Sequence, residues 1–318
     1  MNKTYWPDGK SFAFTIIDDT DKSTLENALQ VYDYLYSKRV LTTKSVWVRE
    51  GKNSEEYTDF KGTTLLDNEY TNWVKSLQDK GYEICLHSMT WSASTRDQII
   101  DGFNRFESLF GKSNVLIQHN DIVANESIYW GSKRLIFPLN LIYELISKIN
   151  SNHANSQIYQ GENTESMFFW GDICKKKVEF IRNLVFPSIN LFNVTPYVVH
   201  KRSSTKYVNN WFVSCEAPDA TSFVKLLSND NIEKLVNENG LCIVYTHFGK
   251  AFVENGILKE SFKKAITYLT NKNGWFVPAS EIFNHLEKKS NGIKELTYLE
   301  ELQLSWKWLR WKMLHGTS

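Results

Sequence analysis

Residues 12–21 read FAFTIIDDTD. The apolar, β-branched run from Phe12 to Ile17 stops at two adjacent carboxylates, Asp18 and Asp19, with a third at Asp21. A run of that length and composition predicts a buried strand. Two acids just past a strand end share a small volume, where their repulsion raises a pKa unless a cation relieves it. The stretch admits a second reading as a solvated loop or helix N-cap, because Asp21 precedes a helical pattern over residues 23–37. The remainder of the chain weighs against that reading, because the same arrangement recurs.

Strand-like runs at residues 82–86, 114–118, 167–170 and 241–245 are followed directly, or within two residues, by His87, His119, Asp172 and His247. Further strand candidates lie at 45–48, 211–213 and 274–277. Between them, apolar residues at helical spacing predict helices over 23–37, 70–77, 99–110, 139–149, 232–239, 262–269 and 280–288. Gly81, Gly111 and Gly240 stand at helix ends, and Ser280 is a candidate N-cap. The Asn-rich stretch 150–165 reads as an exposed, mobile loop. Strands alternating with helices predict an α/β fold with parallel strands. In a barrel of such strands the carboxyl ends converge on one face, which carries the active site. Asp18–Asp19, His87, His119, Asp172 and His247 all stand at such ends, which is the internal argument for an enzyme.

Composition sets outer bounds. A chain of 318 residues buries a substantial core, as one large domain or two small ones. Lysine and arginine number 37 against 36 acids, so no overall charge points to nucleic acid. The apolar runs are strand-sized, too short to cross a membrane as helices. MNKTYWPDGK at the start lacks the apolar core of a secretory signal. Cys85, Cys174, Cys215 and Cys242 form no Cys-x-x-Cys, and these features together predict a cytoplasmic protein with reduced thiols. Aromatics at 14% suit a carbohydrate-handling surface and a large core equally.

Taken in order from about Phe12 to Leu286, the motifs resemble the polysaccharide deacetylase superfamily, that is, NodB-like or carbohydrate esterase family 4-like proteins. IIDDTD at 16–21 is similar to that family's Phe-Asp-Asp-Gly, and TTKSVWV at 42–48 to its second strand. GYEICLHSMTW at 81–91 matches part of its His-Ser-x-x-His motif through His87 and Ser88. LCIVYTHF at 241–248 resembles its late Leu-x-His, and GWFVPASEIFNHL at 274–286 its closing strand and helix. The resemblance implies a distorted (β/α)7 barrel over residues 1–290, acting as a metal-dependent N-deacetylase. Carried over, Asp19 and His87 are metal ligands, Asp18 is the general base, and His247 is the acid that protonates the departing amine. The implied cofactor is a divalent ion, zinc above all, and the implied partner is a sugar or a precursor of a surface glycan.

The chain departs from the pattern. Thr20 replaces the glycine, Trp91 replaces the second motif histidine, and the family's Arg-x-Pro-x-Gly segment is absent where expected. His119 is nominated for the vacant ligand position because it ends the strand after the one ending in His87; contacting substrate or capping a loop are its other readings. Asn120, Asn125, Trp130, Asp172 and Trp91 are candidates for substrate contact. The departures keep two alternatives open: a catalytically degenerate carbohydrate-binding barrel, and a metal-free amide hydrolase. The tail, residues 291–318, carries Leu296, Leu299, Leu302, Trp306, Leu309 and Trp311 among Lys307, Arg310 and Lys312. Packing on the barrel or on a second copy of the chain is favoured over a membrane surface.

Overall fold

The computed structural model describes residues 5–118, 124–150 and 159–315. In chain order the elements are β1 (Phe12–Asp18), α1 (Leu25–Ser37), β2 (Thr43–Val46), α2 (Asn68–Asp79), β3 (Glu83–His87), α3 (Arg96–Phe110), β4 (Val115–Ile117), α4 (Leu139–Asn150), α5 (Gly171–Lys177) and β5 (Phe180–Phe186). There follow β6 (Val199–His200), β7 (Asn210–Glu216), α6 (Ala220–Leu226), α7 (Asn229–Asn237), β8 (Leu241–Thr246), the hairpin β9 (Val253–Glu254) and β10 (Ile257–Leu258), α8 (Glu260–Thr270), β11 (Gly274–Phe276), α9 (Ala279–Lys289) and α10 (Tyr298–His315).

β1 is buried along its whole length, as a strand covered on both faces must be. It lies parallel to β8 on one edge, from Ala13 opposite Leu241 to Asp18 opposite Thr246. Its other edge is divided: Phe12–Phe14 pairs with β11, and Ile17–Asp18 with β2. Parallel pairing continues from β2 through β3, β4, β5 and β7 to β8, which returns to β1. The result is a closed barrel of seven parallel strands. β11 wedged beside β1 and the antiparallel strand β6 on β7 distort it.

The helices form where local signals place them. α1 opens with a capping box in which Thr24 and Asn27 satisfy each other's backbone N–H groups. Asn27 thus takes part in the N-cap that Asp21 was a candidate to provide, and Asp21 is left for other work. Lys80 caps α2, and Gly81 follows at φ +95°, where a Cβ would be strained. Residues 167–170 form no strand, because Gly171 begins α5 there, and α5, β5, β6, α6 and the β9–β10 hairpin form where the sequence pattern predicts no element.

The tail folds back on the body. α10 touches α4 and β5, its Trp308 joins the main hydrophobic core, and its Glu301 makes a buried ion pair with Arg202 at 2.6 Å. Tyr298, Leu299, Trp306 and Leu314 remain exposed. Among the described residues no helix is long and apolar enough to cross a membrane.

Candidate functional site

The carboxyl ends of the barrel strands open on a cavity of about 560 Å³ lined by Asp19, Asp21, His87, Arg182, Tyr245 and His247, among others. Asp19 follows β1, His87 ends β3, Arg182 lies in β5 and His247 follows β8, so four strands converge on it. This is the face on which such barrels carry their chemistry.

Asp19 sits in a guanidinium fork. Arg182 Nη1 donates to Oδ1 at 2.8 Å and Nη2 donates to Oδ2. Burial pushes the Asp19 carboxyl up, but Arg182, together with His87 and His247, more than offsets it and holds the group below the usual carboxylate range. The underside of Arg182 rests on the face of Tyr245, 4.6 Å from the ring centre. His87 Nε2 lies 3.9 Å from both Asp19 Oδ2 and Asp21 Oδ1. Its ring packs against Trp47, with centroids 5.8 Å apart. Ser88, directly after His87, takes φ +43°, a left-handed turn that ends the strand abruptly.

The second pair is Asp21 and His247. His247 Nδ1 donates to the Pro218 carbonyl at 2.6 Å, and Nε2 meets Asp21 Oδ2 at 2.8 Å. A carbonyl only accepts, so Nδ1 carries a hydrogen. The contact to Asp21 then needs a second proton, held on Nε2 or on the carboxyl. The pair therefore shares a proton beside the cavity. Lys250 Nζ adds positive charge 3.9 Å from Asp21 Oδ2.

Two solved structures are similar to the chain. One is provisionally assigned as a polysaccharide deacetylase, from Mycobacterium smegmatis: 10% identity, TM-score 0.48, covering 92% of this chain and 96% of that one. The other is a peptidoglycan N-acetylglucosamine deacetylase in complex with a substituted N-oxidanyl-benzamide: 15% identity, TM-score 0.30, covering 93% of this chain and 90% of that one. No protein-family model and no curated protein matches the sequence. The barrel itself is fixed by the strand pairing given above.

Several residues singled out from sequence lie elsewhere. Asp18 does not line the cavity. It is fully buried, accepting from Tyr32 Oη at 3.0 Å and the Phe248 N–H at 2.8 Å, and paired with Lys44 Nζ at 2.9 Å. Asp18 is the last residue of β1 and turns to Tyr32 and Lys44, whereas Asp19 and Asp21 reach the cavity from the segment that follows the strand. Trp91 also misses the cavity; its indole N–H donates to the Lys52 carbonyl at 3.0 Å and its ring packs edge-on against Trp47. Asp172 stands half exposed on α5, held by both Nη atoms of Arg96 at 2.6 and 2.7 Å. Asn125 is absent from the lining, and its carbonyl accepts from the Gln160 N–H. Trp130 does line the cavity. His119 and Asn120 lie outside the described residues.

Arg182 was not read from the sequence. Its one signal is a charge inside the apolar run FIRNLVF of β5. The pairing of β5 with β7 shifts register between Arg182 and Val185, and this irregularity breaks the simple in-out alternation around the arginine.

The described donors do not make a metal centre. Among the described residues no group of three His, Cys, Asp or Glu side chains is arranged to hold an ion. Both oxygens of Asp19 are taken by Arg182, whose charge opposes a cation beside it, and Trp91 supplies no donor to the cavity.

Proposed function

We propose that the chain is a divergent member of the polysaccharide deacetylase superfamily that hydrolyses the N-acetyl group of a sugar or glycan precursor. The observation that carries this reading is the pairing of two unlike groups in one cavity: the arginine-held carboxylate of Asp19 and the proton-sharing pair Asp21–His247. An anchored carboxylate and a hydrogen-bonded pair that shares a proton, both facing one cavity, offer a base and an acid to the same substrate.

In the proposed reaction Asp19 and His87 hold a water against the acetamide carbonyl, and Asp19 accepts its proton as the oxygen attacks. Arg182 fixes the carboxylate and keeps it ionised throughout the neutral range. Lys250 stabilises the oxyanion of the tetrahedral intermediate. His247 then protonates the nitrogen as the C–N bond breaks, and acetate and the free amine leave. Because the described donors do not fit a metal, no step is routed through one.

A second reading, a carbohydrate-binding barrel without turnover, draws on the aromatic residues Trp130, Tyr143, Tyr159 and Trp308 in the cavity wall. Acetate release from N-acetylated sugars and oligosaccharides separates the two. Release by the native chain, lost in Asp19→Asn with the fold kept, supports hydrolysis. Binding of those sugars with no release leaves the binding barrel. Metal analysis of protein purified without a chelating tag belongs beside it, with zinc expected well below one equivalent. A full equivalent that disappears in His119→Ala restores the metal-dependent route.

A further inference from the structure

The far wall of the cavity holds a charge that the reaction above does not use. Arg134 is buried, 7% exposed, yet lines the cavity. Its guanidinium is sandwiched between two indoles, 4.3 Å from the Trp130 ring centre and 4.6 Å from that of Trp308. Its other bonds are to neutral groups, the Gly131 carbonyl at 3.4 Å and the Tyr143 hydroxyl. Among the described residues no carboxylate pairs with it. Burial pushes this guanidinium downward, so the charge is costly where it stands. Lys312, from the same helix as Trp308, lines the cavity too, its charge shared with Glu216 at 3.3 Å.

A buried arginine without an acid partner, held flat by aromatic faces and open to a cavity, is built to receive an anion. The planar fork matches a carboxylate or phosphate in two parallel bonds, and the low-dielectric walls strengthen them. We propose that Arg134 binds an anionic substituent of the substrate, so that the chain acts on an acidic sugar (one bearing a carboxylate or phosphate) and not on a neutral one. The C-terminal helix completes this subsite through Trp308. The inference deepens the proposed function and rests on it for the identity of the reaction, but not for the preference itself.

The test uses sugars that have no acetamide and so cannot be deacetylated. Glucose, glucuronate and glucose 6-phosphate are titrated into the native chain at constant ionic strength, with affinity read by calorimetry. Tryptophan fluorescence, with its change lost in Trp130→Phe, gives a second reading of occupancy. At least one anionic sugar binds about tenfold or more tightly than glucose, as a charge-assisted pair predicts, and the better of the two identifies the group. Arg134→Gln removes the difference, Arg134→Lys keeps part of it, and inorganic phosphate displaces the anionic sugar from the native chain. The phosphate measurement decides if the glutamine variant does not fold. Equal affinities for all three sugars, or a preference surviving in folded Arg134→Gln, overturn the proposal. Absence of acetate release with the preference intact overturns the hydrolase reading alone.

Discussion

Asp18 and Asp19 are neighbours in sequence, and each pairs with one cation, but they belong to different regions of the molecule. Asp18 lies beneath the helical layer, with Tyr32 of α1 and Lys44 of β2 around it and no access to solvent. Asp19 lies in the mouth, its cation reaching from β5 across the barrel. Burial pushes Asp18 up, whereas Arg182 holds Asp19 down. A lysine is a point charge that satisfies a buried acid from one direction. An arginine fork fixes both oxygens and with them the orientation of the carboxylate plane. In the proposed reaction the first pairing supports the fold and the second aims a reacting group.

The largest effect is expected from breaking the aimed pair. Asp19→Asn lowers acetate release per folded molecule by about 10² to 10⁴; it also leaves the buried Arg182 without its carboxylate, so the melting curve shifts down while circular dichroism still shows the native fold. Arg182→Lys keeps the charge but loses the fork, and its loss of activity falls between the native chain and Asp19→Asn. A native-like rate in Asp19→Asn removes Asp19 from the mechanism.

The mirror experiment moves stability in place of rate. Asp18→Asn leaves Lys44 charged and unpaired in a site with no solvent, which costs about 3–5 kcal/mol, read as a lower denaturant midpoint. The folded fraction keeps its turnover. Lys44→Met in that background recovers much of the loss, because an apolar chain of similar size relieves the stranded charge. If Asp18→Asn instead destroys turnover at full stability, the two roles are reversed.

A third test concerns the amino end of β7, away from the mouth. His200 on β6 is fully buried; burial, aided by Arg202, pushes its pKa down to about 4, against the bond it donates to the Tyr197 carbonyl at 3.0 Å. Its folded pKa is below its unfolded one, so the unfolded chain binds the extra proton between them. Stability is therefore complete above about pH 6.5 and falls as pH drops toward 4, by about 3 kcal/mol from this group. His200→Gln flattens that part of the stability curve and leaves the rate at neutral pH unchanged.

These contrasts explain what could be read in the sequence. The barrel was legible because parallel strands buried on both faces are continuous apolar runs, and β1, β3 and β8 each end at a polar group that marks the mouth. His87 and His247 followed from that pattern. Asp19 followed from it too, whereas Asp18, set beside it by the motif, turns away to Tyr32 and Lys44. Arg182 and the Trp308 wall were hidden for another reason. Both reach the cavity from elements remote in sequence from the motifs, one beside a register shift and one on a tail expected to pack on the barrel or on a second copy, with no part in the site.

The smallest effect is expected at Asp172, which the sequence pattern set beside the others as a strand-end acid. The pattern failed there because Gly171 opens a helix, and the carboxylate turns outward to Arg96. The two are bonded through both Nη atoms of the guanidinium, a better geometry than surface ion pairs commonly have. Both side chains nonetheless stand in water, 36% and 51% exposed, where screening and side-chain entropy offset most of the attraction. Asp172→Ala should therefore cost no more than about 1 kcal/mol in a denaturant titration, and less at high salt. Acetate release should match the native chain. A loss of rate with stability intact would mean that α5 reaches the substrate after all, and would extend the site beyond the ring of strand ends that defines it here.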